Sequence, residues 1–160
     1  MGDVRFTGNW NSVNAHTVPK WYEDCKFGIF IHWGIYSVPA FAPHTWELGE
    51  VDSKEWFADN PYAEWYYNSL NIGKGPTYKH HIEKYGKDFK YEDFIPMWKA
   101  ENWDPKQWAE IFTEAGAEYV VLTTKHHDGF CLWPTSTTNY NIRQSPFRNG
   151  KGDLVKEFSD

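Results

Sequence analysis

Two short, almost wholly apolar runs punctuate the chain. The first, Phe27-Gly28-Ile29-Phe30-Ile31, leads into His32-Trp33-Gly34. The second, Tyr119-Val120-Val121-Leu122, lies within Glu118–Lys125 and leads into His126-His127-Asp128-Gly129-Phe130. Their length and their β-branched or aromatic content predict strands buried on both faces. Between the runs the pattern changes period. Asp104-Pro105 supplies an N-cap and a first-turn proline, Trp108, Ile111 and Phe112 recur on one helical face, and Gly116 ends the helix. Shorter helices are expected at 19–26, from Glu64 to Leu70 and from Thr77 to Tyr85, the last two interrupted by Gly73-Lys74-Gly75-Pro76. Tyr91–Trp98 is amphipathic but limited by Pro96. Residues 35–65, with Pro39, Pro43 and Pro61 and no clean period, read as a long structured loop. Asp153–Phe158 starts a final helix.

Strand, long crossover with helix, strand, loop and helix form the grammar of parallel βα units. The expected class is α/β: a small α/β domain of another kind or, since a closed barrel takes eight strands and about 250 residues, a partial (β/α)8 barrel containing only its first βα units. On this reading residues 1–160 are the amino-terminal portion of a catalytic barrel, with a polar arm at 1–19.

Composition narrows the partners. The net charge is −6, and Lys and Arg form no stripe, so nucleic acid is not expected. No apolar run reaches membrane-spanning length, and the first residues lack the basic and apolar regions of a signal peptide. A cytoplasmic setting is the default expectation. The two cysteines, Cys25 and Cys131, read as buried thiols. Aromatic residues reach 19%, with 10 Trp, a content that serves a core or a sugar surface equally well.

The candidate chemistry lies where the strands stop. In parallel sheets and barrels, ligands bind at the carboxyl ends of the strands. His32 ends the first run, and His126 and His127 end the second. In an extended chain adjacent side chains alternate, so one imidazole of the pair is expected in the site and the other bracing it. Asp128 is placed to orient a ring nitrogen. His80-His81, in a Lys- and Glu-rich stretch, reads as solvated. The spacing lacks His-x-His on the first strand and His-Glu-x-x-His on a helix, so neither metal nor any other cofactor is expected. Glu64-Trp65 sets a carboxylate beside an indole, a pair suited to the hydroxyl rim and the apolar face of a sugar. Tyr66 and Tyr67 fit better as staples for the loop, and Trp33 and Trp133 suit either role. Hydrolysis of a glycoside generally needs two carboxyl groups across the bond, and only Glu64 qualifies here.

The motifs Trp21–Phe41, Glu64-Trp65-Tyr66, Tyr119–Phe130 and Asp153-Leu154-Val155 resemble, in order, those of family 29 α-L-fucosidases. The resemblance runs from about Trp21 to Phe158. It implies a (β/α)8-like barrel followed by a β-sandwich, and metal-free removal of terminal α-L-fucose with retention. It further implies that His32, Glu64, Trp65, His126 and His127 contact the sugar. The family's nucleophilic Asp and its usual acid/base Glu match nothing in this chain, and Glu64 stays open as an assisting carboxylate. The implied partners are a fucosylated glycan and either a C-terminal half of the same enzyme or a second copy. A non-catalytic fucose-binding fragment and a metal-dependent barrel hydrolase are the alternatives. At one position the chain departs from the family, which often carries Arg before Asp-Leu-Val where Gly152 stands here, a change bearing on the start of the last helix.

Overall fold

The computed structural model describes residues 6–44, 50 and 52–160. Helix α1 (Trp10–Asn14) lies in the amino-terminal arm, capped by the Asn9 side chain, which accepts from Ser12 N at 2.9 Å. Helix α2 (Lys20–Asp24) leads into β1 (Gly28–Ile31). The segment read as one long loop contains three short helical turns: a 3₁₀ turn at Ile35–Ser37, α3 (Ser53–Trp56) and a 3₁₀ turn at Ala63–Trp65. Residues 45–49 and 51 of that stretch lie outside the described residues. The chain continues through α4 (Tyr66–Asn71), α5 (Pro76–Tyr85) and a 3₁₀ segment at Tyr91–Met97 that contains Pro96. Then come α6 (Pro105–Glu114), β2 (Tyr119–Leu122), two 3₁₀ turns and α7 (Leu154–Ser159).

Helix α6 forms as its sequence dictates. The Asp104 side chain accepts from the N–H groups of Lys106 and Gln107 at 3.0 and 3.1 Å, satisfying two donors that have no partner within the helix. Its apolar stripe reaches Trp33 through Trp108. At the centre of that junction Trp33, just past β1, lies 5.3–5.4 Å from Trp98, Trp103 and Trp108, ring centre to ring centre. Trp33 therefore belongs to the packing between β1 and α6. Each such aromatic pair contributes about 0.5–1.5 kcal/mol beyond area burial.

The strands pair in parallel, from Gly28↔Tyr119 to Ile31↔Leu122, and Thr123 N donates to Ile31 O at 3.0 Å to carry the ladder one step further. Both carboxyl ends thus open on one edge. The fully buried core is not in the strands. It gathers beyond their carboxyl ends, around Ile35, Tyr36, Tyr66, Tyr91, Phe94, Phe130, Leu132 and Phe147. The expectation of strands buried on both faces is corrected: Phe30 is 64% exposed and Val121, its cross-strand partner, 45%. By the two-residue period one face of the sheet packs inward, while Phe30, Val121 and His32 share the other. Among the described residues no further layer covers that face.

Gly152, the residue before Asp153-Leu154-Val155, has a local cause. A Cβ at this position would lie 2.0 Å from Phe147 Cδ1, and Phe147 is 1% exposed. The start of α7 is regular, with Lys156 N donating to the Asp153 carboxylate at 2.9 Å. The missing side chain makes room for the Phe147 ring. Among the described residues no helix is long and apolar enough to cross a membrane.

Candidate functional site at the carboxyl edge of the sheet

His32 follows β1 directly and stays exposed, with its ring 4.6 Å from Phe30 on the same face. His126 and His127 do not continue β2. After Thr123 the chain turns back as a short antiparallel ribbon, with Leu132 N donating to Thr124 O at 3.0 Å and a bridge between Lys125 and Cys131. The two imidazoles occupy its tip. Gly129, at φ +79°, takes the left-handed conformation of the turn, and its N–H donates to His126 O at 3.0 Å. The rings stand edge to face at 4.6 Å and 86°, with His126 half-buried and His127 exposed. The two imidazoles thus differ in exposure, and a turn, not the alternation of an extended strand, separates them.

His126 is the hub. Its ring lies 5.1 Å from that of His32, 5.7 Å from Tyr36 and 6.5 Å from Trp65. Burial pushes its pKa below the ordinary imidazole value, and the neighbouring His127 and His32 push in the same direction. The Glu64 carboxylate partly opposes them. The 3₁₀ turn at Ala63–Trp65 brings the Trp65 ring to 4.4 Å from His127, and packing against Trp56 and Phe57, at 5.5 and 5.7 Å, backs it from behind. His32, Glu64, Trp65, His126 and His127 therefore converge on one rim. Together they offer imidazoles, a half-buried carboxylate, and an aromatic ring.

The remaining candidates separate. Tyr66 is buried, and its hydroxyl lies 2.9 Å from His81 Nδ1, a staple as expected. His81 is not solvated: it is 1% exposed, and Nε2 lies 2.8 Å from Phe89 O. A carbonyl only accepts, so Nε2 carries the proton and Nδ1 accepts from Tyr66. His80, half-buried, stacks on Phe41 at 3.7 Å. Cys131 is buried, while Cys25 is only half-buried, and both are free thiols. Asp128 is buried, and the hydrogen bonds it accepts come from Tyr91 Oη at 2.8 Å and Phe130 N at 3.2 Å, not from an imidazole. Burial raises its pKa above the usual carboxylate value.

Sequence reasoning passed over Tyr36 and Tyr91. Tyr36 is 3% exposed beside His126, and burial followed by the charges of Asp128 and Glu64 raises its pKa. Its place inside the Trp21–Phe41 motif, four residues after His32, was the available signal. No group of three or more His, Cys, Asp or Glu among the described residues is arranged to hold a metal ion. A cleft of about 350 Å³ borders His32, between Phe30 and α6 residues Trp108, Ile111 and Phe112. A separate cavity of about 240 Å³ sits at the opposite, amino-terminal end of β2, against α6 and Phe158.

The profile of the Alpha-L-fucosidase family matches residues 2–160. Among curated relatives, the tissue alpha-L-fucosidase of Mus musculus is 39% identical over 94% of this chain and 29% of its own length. The plasma alpha-L-fucosidase of Homo sapiens is 41% identical over 96% of this chain and 28% of its own length. Among solved structures, an alpha-L-fucosidase superposes with a TM-score of 0.88 at 53% identity, covering 97% of this chain and 34% of that one. The Thermotoga maritima alpha-fucosidase in complex with fucose gives a TM-score of 0.82 at 50% identity, with the same two coverages. The chain thus spans less than a third of the length of these curated relatives.

Proposed function

This chain belongs to the α-L-fucosidase family, and on that premise we propose that it forms the first βα units of a retaining α-L-fucosidase barrel and supplies the rim that binds terminal fucose. The observation that carries this reading is the meeting of His32, His126, His127, Glu64 and Trp65, brought from three separate segments to the carboxyl edge of one parallel strand pair. Imidazoles and a carboxylate match the hydroxyls of a deoxysugar, and the indole matches its apolar face.

In the whole enzyme a carboxylate attacks the anomeric carbon while a carboxylic acid protonates the departing oxygen. Water then releases fucose with its configuration retained. The nucleophile in this scheme comes from outside these residues, and Glu64 is the carboxylate available here to assist. The rim holds the sugar and strengthens its hydroxyl contacts as charge develops at the anomeric carbon. Exposure of Phe30 and Val121 on a two-stranded sheet supports further strands, from more of the same polypeptide or a separate C-terminal half, as the layer that covers this face. The substrate on this reading is a fucosylated glycan, and a cytoplasmic setting accords with the two free thiols.

The test is an NMR titration of the labelled chain with L-fucose. Shifts confined to the His32, His126 and His127 imidazoles and the Trp65 indole are expected, with no nitrophenol released from a nitrophenyl fucoside by the chain alone. Saturating fucose that leaves those signals unmoved rejects the sugar site.

A further inference from the structure

The rim joins two segments distant in sequence, the Glu64-Trp65 turn and the His126-His127 tip. We propose that Tyr91 and Asp128 are positioning residues whose mutual hydrogen bond ties these segments together and sets the approach of Trp65 to His127. Its significance for function rests on the fucose-site reading above; the tie itself does not.

The path is short. Asp128 is covalently next to His127 and 6% exposed. One carboxylate oxygen accepts from Phe130 N, folding the ribbon tip, and the other accepts from Tyr91 Oη at 2.8 Å. Tyr91 is 1% exposed, and its ring lies 4.7 Å from that of Tyr67 at 34° and 6.3 Å from that of Tyr66 at 32°. These two residues directly follow Trp65. One hydrogen bond and one pair of ring contacts therefore connect the segment bearing His127 to the segment bearing Trp65. Sequence could not reveal the link, because Tyr91 sits in a proline-limited 3₁₀ segment with no chemistry of its own.

Ordinary core packing does not account for this pair. A phenylalanine would fill the Tyr91 volume without a buried hydroxyl, and an apolar residue at 128 would avoid desolvating a carboxyl group. Burying that group costs free energy unless it is hydrogen-bonded, and buried polar pairs fix geometry in a way that apolar contacts do not. Burial raises the pKa of both partners, which agrees with a hydrogen bond screened from water.

The test compares the parent chain with Tyr91→Phe, Asp128→Asn and Asp128→Ala, reading NOEs between the Trp65 indole and the His127 ring and, separately, L-fucose affinity. Tyr91→Phe keeps the ring stack and deletes one hydroxyl. Expected are loss of the Trp65–His127 NOEs, unchanged His81 imidazole signals, and fucose binding weaker by about five-fold, the value of one hydrogen bond. Asp128→Asn, which keeps an acceptor, should fall between parent and Asp128→Ala, and it decides the matter if Tyr91→Phe does not fold. Parent-like NOEs and affinity in Tyr91→Phe overturn the tie, even if its unfolding midpoint drops. A parent chain that ignores fucose rejects the sugar reading instead, and the NOEs still decide the tie.

Discussion

The Trp65 indole lies 4.4 Å from the His127 imidazole, centre to centre, with the two planes inclined by 37°. The indole is half-buried, so part of its surface stays accessible. Replacing it by alanine should weaken L-fucose binding by about tenfold, or about 1.4 kcal/mol. Trp65→Phe should recover part of that. Isothermal titration of both variants checks the order. Equal affinity in Trp65→Ala would mean that the ring only packs against Trp56 and Phe57.

His126 gives the site a pH dependence with a definite sign. Its native pKa is lowered from 6.5, first by burial and then by His127 and His32. As pH falls, the unfolded chain takes up this proton before the native state does. The contribution of His126 to stability is therefore complete above 6.5 and is lost as pH falls through the lowered native value. An NMR titration should give a His126 midpoint below 6.5, and the urea midpoint of His126→Asn should fall less than that of the parent between neutral pH and about pH 5.

His81 is a structural histidine, and its removal should be felt in stability alone. His81→Leu leaves the Tyr66 hydroxyl and the Phe89 carbonyl without their partners. The buried Tyr66 hydroxyl left unsatisfied costs about 1–3 kcal/mol and the part-buried Phe89 carbonyl less, so chemical denaturation should show a loss of about 2–4 kcal/mol. The rim signals of His126 and His127 should stay where they are in the parent.

Gly152 is fixed by close approach. The Cβ introduced by Gly152→Ala would meet the Phe147 ring at 2.0 Å, and that ring is enclosed. Overpacking of this kind costs about 1–3 kcal/mol, measurable as a lower unfolding midpoint. Pairing the change with Phe147→Leu should return part of the loss, because the smaller side chain yields the space that the added methyl group needs.

Sequence alone determined what depends on near neighbours. Asp104-Pro105 and the spacing of Trp108, Ile111 and Phe112 specify α6, because caps and helical faces involve residues within a turn or two. The apolar runs specify β1 and β2, and the strand-end rule led from them to His32, His126 and His127, which do share a rim. Tertiary structure decided the rest. His81 stands in a charged helical stretch, yet Tyr66 and Phe89 draw its ring inward. Tyr91 becomes significant only when Asp128, 37 residues later, meets its hydroxyl. Whether Phe30 is covered depends on what packs across the sheet, not on its own run of apolar neighbours. Local patterns fix backbone conformation because their energies are short-range; burial and hydrogen-bond partnership are set where distant segments compete for the same space.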